Sequence, residues 1–148
     1  MAKIWNEVVS DGIAFPQIDC LNQSDAADFF SSQTYCGVAE DDDTKEIIGL
    51  YIFQPNNVDR CAHIANASFA VSSKSRGLHI GEKLVMRCLE KAKDFGFKIM
   101  QFNAVVSTNI HARHLYERLG FNLLGVIPKG FKLKSGEYED ICVYYISL

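Results

Sequence analysis

The chain has 148 residues, 48% of them hydrophobic and 22% charged, which is an ordinary composition for a soluble globular protein. Its net charge of −3 argues against a nucleic-acid binder that works through a broad basic face, and no apolar run approaches membrane-spanning length. The length fits a single domain over residues 1–148.

The cysteines give information about compartment and metal content. They are odd in number, widely spaced and form no CxxC pair, so neither a disulfide framework nor a zinc site is predicted. The N-terminal stretch M-A-K-I-W-N-E-V lacks the apolar core of a signal peptide. We therefore expect a cytoplasmic protein without a metal, in which these side chains are reduced: Cys20, Cys36, Cys61, Cys88 and Cys142.

The first part of the chain predicts antiparallel strands with one helix between them. A short initial strand is expected at I-W-N-E-V-V, and a short helix over Ser24–Ser31 with Ser24 as its cap. The stretches Y-C-G-V-A-E and E-I-I-G-L-Y-I-F then form a strand pair joined by a turn at D-D-D-T. An antiparallel first half follows.

The middle of the chain predicts a strand, a helix and a second strand. His63–Val71 is short, compatible with a strand and uncharged, and K-I-M-Q-F-N-A-V-V is a similar apolar segment. Between them, apolar residues recur at helical spacing from Ile80 to Phe95, and Gly96 ends the helix. These three segments together predict a βαβ unit with parallel strands and a right-handed crossover.

A helix and a strand pair complete the predicted fold. Thr108 or Asn109 caps the helix, whose inner stripe includes Leu115 and Tyr116, and Gly120 stops it. The strands F-N-L-L-G-V-I and D-I-C-V-Y-Y-I are joined by a loop around P-K-G-F-K-L-K-S-G. The prediction is an α/β domain of about seven strands and three helices around a mixed sheet.

The stretch R-G-L-H-I-G has the position of an anion-binding turn, because it follows a strand and opens a helix. Free backbone N–H groups and the helix dipole favour an anion there, and Gly77 and Gly81 would let the backbone approach a phosphate. His79 adds bulk in the middle of the turn, and neither common nucleotide-binding glycine pattern is present. Taken alone, the stretch fits an ordinary connection equally well.

Two motifs together resemble the GNAT superfamily of N-acetyltransferases. V-S-S-K-S-R-G-L-H-I-G-E-K-L is similar to the acetyl-CoA pyrophosphate loop, matching at Arg76 and Gly81, with His79 in place of the first signature glycine. N-I-H-A-R-H-L-Y-E-R-L-G-F is similar to the second motif of the family. The resemblance covers residues 46–148 and implies a mostly antiparallel sheet with a splayed parallel central pair. Family members usually have two helices after the first strand, whereas residues 1–45 predict one.

The resemblance implies a complete acetyl-CoA site. The pantetheine arm would lie along the exposed backbone of Phe69, Ala70 and Val71, with a nearby backbone N–H at the thioester carbonyl. Tyr116 would be the general acid for the CoA sulfur; without the motif, a buried core tyrosine is the commoner interpretation. Asn109 can both cap its helix and reach the cofactor. The residues expected to bind acetyl-CoA at the loop are Arg76, Gly77, Leu78, His79, Ile80 and Gly81.

Asn66 and Asn103 are candidates for acceptor binding. Each is the polar interruption of an apolar strand, and a buried amide without a partner costs about 1–3 kcal/mol. If the strands splay, both amides could hold the carboxylate or amine of an acceptor; bonding to each other or to water is the alternative. N-A-S-F, Q-F-N-A-V-V-S-T-N and G-V-I-P resemble a branch that includes fungal acetyltransferases of proline-related amino acids. This implies a small amine or amino-acid-like acceptor.

The sequence offers no obvious general base. No Asp or Glu occurs in 61–71 or 99–110, so an ordered water or an amine that arrives neutral is expected. Asp11 and His63 are distant candidates, although His63 fits a structural role better. His111 and His114 lack a third metal ligand. The late loop around Lys129, Phe131 and Tyr138 could border the acceptor site or be a solvated hairpin.

The functional hypothesis is an acetyl-CoA-dependent N-acetyltransferase with direct attack of a small amine on the thioester. The alternative is a non-catalytic GNAT-fold module that binds CoA or a protein partner, which His79 and the missing strand carboxylate would favour. A plain nucleotide-binding α/β domain is disfavoured by the antiparallel first half. A homodimer is left open.

Overall fold

The computed structural model describes residues 1–75 and 77–148. The helices of this part of the chain are α1 (Ala2–Asp11), α2 (Gln23–Ser31), α3 (Ile80–Asp94) and α4 (Ile110–Arg118). The strands are β1 (Tyr35–Glu40), β2 (Ile47–Pro55), β3 (Ile64–Val71), β4 (Ile99–Val106), β5 (Asn122–Lys132) and β6 (Tyr138–Ser147). No described helix has the length and apolar character needed to span a membrane.

The sheet confirms the predicted fold class. Its strand order is β1-β2-β3-β4-β6-β5, and only β3 and β4 are parallel neighbours. The other four neighbouring pairs are antiparallel. The described residues form six strands and four α-helices, so the predicted seven strands and three helices are wrong in number.

The predicted initial strand is wrong, because I-W-N-E-V-V lies inside helix α1. Ile4, Trp5 and Val9 are buried, and their spacing of one and four residues places them on one face of a helix. The β-branched residues favour a strand locally, but burial of this face against the sheet decides the structure. Two helices, α1 and α2, therefore precede β1, where the sequence predicts one helix.

Helix α2 is confirmed, but its predicted cap is wrong. Asn22 is the N-cap, and its Oδ1 accepts a hydrogen bond from the backbone N–H of Asp25 at 2.9 Å. The Ser24 hydroxyl instead donates to the Asn22 side chain at 2.7 Å. Asn and Ser are comparably good caps, so the choice depends on where the chain turns into the helix rather than on residue type.

Helices cover both faces of the central strands. On one face, α3 packs on β2 and β3 in a large core that includes Leu84, Phe102 and Tyr144. On the other face, α1 buries Trp5 against Leu50 and Ala70. Strands β2 and β3 thus lie between two helical layers.

Two predicted helix ends are confirmed by backbone conformation. Gly96 and Gly120 follow α3 and α4 with φ of 87° and 91°, a region that glycine enters at little cost. The loop after β5 is shorter than predicted, because β5 continues through P-K-G-F-K to Lys132. A register shift between Ile127 and Phe131 allows the strand to resume its pairing with β6.

Candidate active site

The parallel strands β3 and β4 separate soon after they begin. Their register contains only the pairs Ile64 with Ile99 and Ala65 with Met100. Beyond Ala65, β3 pairs with β2 alone among the described residues. The backbone of β3 from residue 66 onward therefore has one edge free of strand partners, as the expected splay requires.

A cavity of about 370 Å³ occupies the gap between these strands. Its walls are residues 66–69 of β3 and 102–106 of β4, all beyond the last main-chain pair. Helix α4 contributes Asn109 from its cap, Ala112 and Tyr116. The segment after α1 contributes Ala14, Phe15 and Pro16. The separated strands thus create one space that reaches elements on both faces of the sheet.

Asn66 and Asn103 both line this cavity, and a third amide connects them. Asn56 Oδ1 accepts from Asn66 Nδ2 at 3.3 Å and also from Asn103 Nδ2. Gln101 Nε2 donates to Asn103 Oδ1 at 2.8 Å. The two candidate residues are therefore neighbours, bonded through Asn56 rather than directly to each other.

Tyr116 lies at the α4 side of the cavity, half-buried in an aromatic cluster. Its ring centroid is 4.6 Å from that of Phe102 and 5.5 Å from that of Phe121. Its hydroxyl has no hydrogen-bond partner among the described residues. Burial raises the pKa of Tyr116 above its ordinary value near 10, with a smaller contribution from Cys88. The phenol therefore keeps its proton at neutral pH.

Asn109 has the capping role that the sequence predicts. It is the N-cap of α4, and its Oδ1 accepts from the backbone N–H of Ala112 at 3.3 Å. Arg113 Nη1 donates to the backbone oxygen of Ser107 at 3.1 Å and fixes the turn before the helix. The cap residue also borders the cavity, so capping and ligand contact are compatible.

The glycine-containing loop precedes α3 as expected, although Arg76 lies outside the described residues. Gly77 has φ of 83°, and His79, the N-cap of α3, has φ of 57°. The left-handed conformation of His79 explains why a glycine suits this position. Its side chain is 79% exposed and lies beside Glu82, with Nδ1 3.7 Å from a carboxylate oxygen. Ile80 is buried, whereas Leu78 is 63% exposed.

If the loop before α3 binds the CoA pyrophosphate, as the resemblance implies, replacing His79 with Gly should change the dissociation constant for CoA by less than about threefold. The histidine backbone already adopts the conformation that glycine would provide, and its imidazole extends into solvent. Isothermal titration calorimetry with CoA checks this expectation. A tenfold gain in affinity would show that the side chain of His79 obstructs the cofactor.

Several sequence-based candidates lie elsewhere. Asp11 borders a separate polar depression on α1, and His63 is exposed at the start of β3, with its backbone oxygen bonded to Lys98 N at 2.9 Å. Neither residue lines the cavity. Lys129, Phe131 and Tyr138 do not line it either; Phe131 is buried in a small core with Val106 and Ile141, and Tyr138 is exposed.

The sequence does not predict Phe15, Pro16 and Ser68 on the cavity wall or Asn56 behind it. Phe15 and Pro16 follow a segment interpreted as a strand, so no periodicity connected them with the site. Asn56 follows β2 in a loop, where an asparagine is ordinary. Only the three-dimensional separation of the strands identifies these residues.

The described residues that line the cavity are uncharged. None of the described residues that line it is an aspartate, glutamate, histidine, lysine or arginine. The polar groups are three asparagine amides, one serine hydroxyl and one tyrosine hydroxyl. A reaction in this space must therefore rely on hydrogen bonds and backbone groups rather than on a charged side chain.

Two acyltransferases are among the curated proteins that are similar to this chain in sequence. The chain is 39% identical over 99 residues to N-acetyltransferase aca1 of Schizosaccharomyces pombe, covering 66% of this chain and 47% of the relative. The chain thus spans about half the length of that relative. It is also 24% identical over 151 residues to the L-amino acid N-acyltransferase MnaT of Escherichia coli, covering 100% of this chain and 87% of the relative.

The fold matches a phosphinothricin acetyltransferase of the GNAT superfamily from Sinorhizobium meliloti, in complex with acetyl-CoA, with a TM-score of 0.91 and 22% identity. The alignment covers 99% of this chain and 80% of that structure. The model of the acetyltransferase (GNAT) family matches residues 4–121. The chain belongs to the acetyltransferase (GNAT) family.

Proposed function

We propose that the protein is an acetyl-CoA-dependent N-acetyltransferase that acetylates the amine of a small amino-acid-like acceptor. The observation that carries this proposal is the cavity between β3 and β4, with a tyrosine on the α4 side and asparagine amides on both strands. A thioester can enter such a gap along the free edge of β3, and an acceptor can meet it there. Proximity and orientation supply much of the rate for this kind of transfer.

The cofactor would be held by backbone more than by side chains. The pantetheine arm would pair with Phe69, Ala70 and Val71, whose edge toward β4 has no strand partner among the described residues. The pyrophosphate would lie at the loop Arg76–Gly81 and the N-terminus of α3, where free N–H groups favour an anion. Asn109 contacts the cofactor from the cap of α4. One β3 N–H donates to the thioester oxygen as negative charge develops.

In the reaction, the nitrogen lone pair of the acceptor attacks the thioester carbonyl carbon. The carbon–sulfur bond breaks, its electron pair goes to sulfur, and the Tyr116 hydroxyl protonates the departing thiolate. The proton lost from the amine passes to water. Water then restores the proton on Tyr116, whose raised pKa favours the neutral phenol.

The acceptor would bind at Asn66 and Asn103. Their amides offer both N–H donors for a carboxylate and an oxygen acceptor for an amine. The likeness to an L-amino acid N-acyltransferase supports an amino acid as the acceptor. The resemblance of the strand motifs to fungal acetyltransferases of proline-related amino acids narrows the first candidates to cyclic amino acids.

We expect the pH dependence of kcat/KM for the acceptor to follow the pKa of the acceptor amine. No carboxylate or imidazole lines the cavity among the described residues, so the amine must arrive neutral. Below the amine pKa, kcat/KM should rise about tenfold per pH unit, and the limb should move with each acceptor. A limb at one fixed pH for amines of different pKa would reveal a protein base and contradict this expectation.

A thioester assay tests the proposed function. Purified protein is mixed with acetyl-CoA and a panel of L-amino acids, cyclic amino acids and simple amines, and loss of thioester absorbance is followed. Acceptor-dependent loss, with the acetylated amine identified by mass spectrometry, supports the proposal. No turnover with any acceptor, together with no thermal stabilisation by acetyl-CoA, would sink it.

The competing proposal is a non-catalytic module that binds CoA or a protein partner. The absence of a charged group among the described cavity residues favours it, because many transferases of this type use a carboxylate base. This module would be stabilised by CoA but would transfer no acetyl group. The same panel separates the two proposals.

We propose one acetyltransferase domain over residues 1–148, in the cytoplasm, where five free cysteines stay reduced.

We also propose a homodimer, supported by edge strand β5, which exposes Leu123, Leu124, Val126 and Ile127 by 46–59%. Sedimentation equilibrium measures this directly, and a monomer mass at micromolar concentration would contradict it.

A further inference from the structure

Asn56 occupies the point where the two central strands part. It follows the end of β2, and its backbone N–H donates to the Ile64 oxygen at 2.7 Å. Main-chain pairing between β3 and β4 stops at Ala65 and Met100. Just beyond, the Asn56 side chain connects Asn66 on β3 with Asn103 on β4. One amide thus links the strands where their backbones no longer do.

We propose that Asn56 is a positioning residue that sets the orientation of the Asn66 and Asn103 amides and thereby the affinity for the acceptor. This inference rests on the proposed acetyltransferase function. Asn56 does not line the cavity, so it would act on the acceptor through its two neighbours.

Two hydrogen bonds allow Asn56 to orient both Asn66 and Asn103. The single Oδ1 of Asn56 accepts from both Nδ2 groups, so each NH₂ faces Asn56 and each Oδ1 is turned away. Turning either amide by half a rotation would bring two oxygens together, which electrostatics opposes. Asn56 therefore selects one of two orientations for each neighbour.

The orientation of these two amides determines which polar groups the acetyl acceptor contacts. Asn103 Oδ1 is occupied by Gln101 Nε2, whereas Asn66 Oδ1 has no hydrogen-bond partner among the described residues. Asn66 Oδ1 can thus accept a hydrogen bond from an N–H group of the acceptor amine. Each Nδ2 retains one unused hydrogen for a carboxylate oxygen. The cluster is suited to a ligand that carries an amine and a carboxylate close together.

Replacing Asn56 with Ala should weaken acceptor binding selectively. Both amides lose their shared partner and become free to rotate, so KM for an amino-acid acceptor should rise roughly 10- to 100-fold. The kcat value and the KM for acetyl-CoA should change by less than about threefold. Binding of acetyl-CoA and protonation of its sulfur use groups other than Asn66 and Asn103. The matched control is Asn57→Ala, because Asn57 is exposed and, within residues 1–75 and 77–148, its oxygen accepts only from the adjacent Val58 N–H.

Replacing Asn56 with Asp separates positioning from general stability. An aspartate keeps two oxygens that accept both N–H groups, so the neighbouring amides stay oriented. It also adds a negative charge beside the acceptor. KM should return toward the wild-type value for a simple amine and stay raised for an amino acid that carries a carboxylate. If Asn56→Ala does not fold, this discrimination by Asn56→Asp tests the proposal.

Side-chain amide signals in ¹⁵N NMR spectra supply a readout that needs no turnover. In Asn56→Ala, the NH₂ signals of Asn66 and Asn103 should shift and exchange faster with water, whereas Asn57→Ala should leave them in place. Unmoved signals, or an acceptor KM within twofold of wild type, would overturn the role of Asn56. If the wild type acetylates nothing, the proposed function fails, and the NMR spectra still decide whether Asn56 orients the amides.

Discussion

Replacing Tyr116 with Phe should lower kcat by about 10²–10⁴-fold while leaving the dissociation constant for CoA nearly unchanged. The substitution removes only the hydroxyl that would protonate the CoA thiolate. The ring contacts with Phe102 and Phe121 remain, and the hydroxyl makes no hydrogen bond to a described residue. The melting temperature should therefore stay within about 2 °C of the wild-type value.

Tyr35→Phe is the matched control for this prediction. Tyr35 is also a half-buried tyrosine with aromatic neighbours, but it lies on β1 and outside the cavity. Its loss of a hydroxyl should leave kcat within twofold of wild type. Equal single-turnover rate constants for the wild type and Tyr116→Phe would show that Tyr116 takes no part in the chemical step.

Replacing Trp5 with Ala should destabilise the protein by about 3–5 kcal/mol, the range for deleting a large buried aromatic side chain. Trp5 is 1% exposed, and its ring centroid is 4.4 Å from that of Phe15 and 4.8 Å from that of Phe29. Urea unfolding followed by fluorescence of the remaining tyrosines or by circular dichroism gives the free energy. Because Phe15 and Pro16 line the cavity, the acceptor KM should rise as well.

Ile18→Ala is the control for the same segment. Ile18 is 89% exposed, so its truncation should change the free energy of unfolding by less than about 0.5 kcal/mol. A Trp5→Ala variant as stable as Ile18→Ala would mean that α1 does not pack on the sheet as described.

The helix-and-strand order from Ile64 to Ser147 could be predicted because apolar periodicity and glycine stops are strong there. The turn at D-D-D-T could also be predicted. In the structure, the Asp41 carboxylate accepts hydrogen bonds from the backbone N–H groups of Asp43 and Thr44 at 3.1 and 2.8 Å. In α1, by contrast, Ile4, Trp5, Val8 and Val9 fit either a short strand or a helix face. The choice depends on the sheet surface they cover, which local sequence does not contain.

The site was predictable only in part, for a similar reason. Asn66 and Asn103 could be identified because each is the polar interruption of an apolar strand. The premise that both amides are buried is wrong, because Asn66 is half-buried and Asn103 is exposed. Asn56 carries no such signal, since its importance arises from the splay of β3 and β4. Phe15 likewise reaches the cavity because its ring packs on Trp5 and because two hydrogen bonds between the Asn6 side chain and the Leu21 backbone hold its segment against α1.

A crystal structure with CoA and the best acceptor from the panel tests the central claim most directly. We expect the pantetheine arm to lie along Phe69, Ala70 and Val71 of β3, with the sulfur facing the Tyr116 hydroxyl. The acceptor amine and carboxylate should lie against Asn66 and Asn103. CoA bound outside the gap between β3 and β4, or an acceptor bound away from these amides, would contradict it.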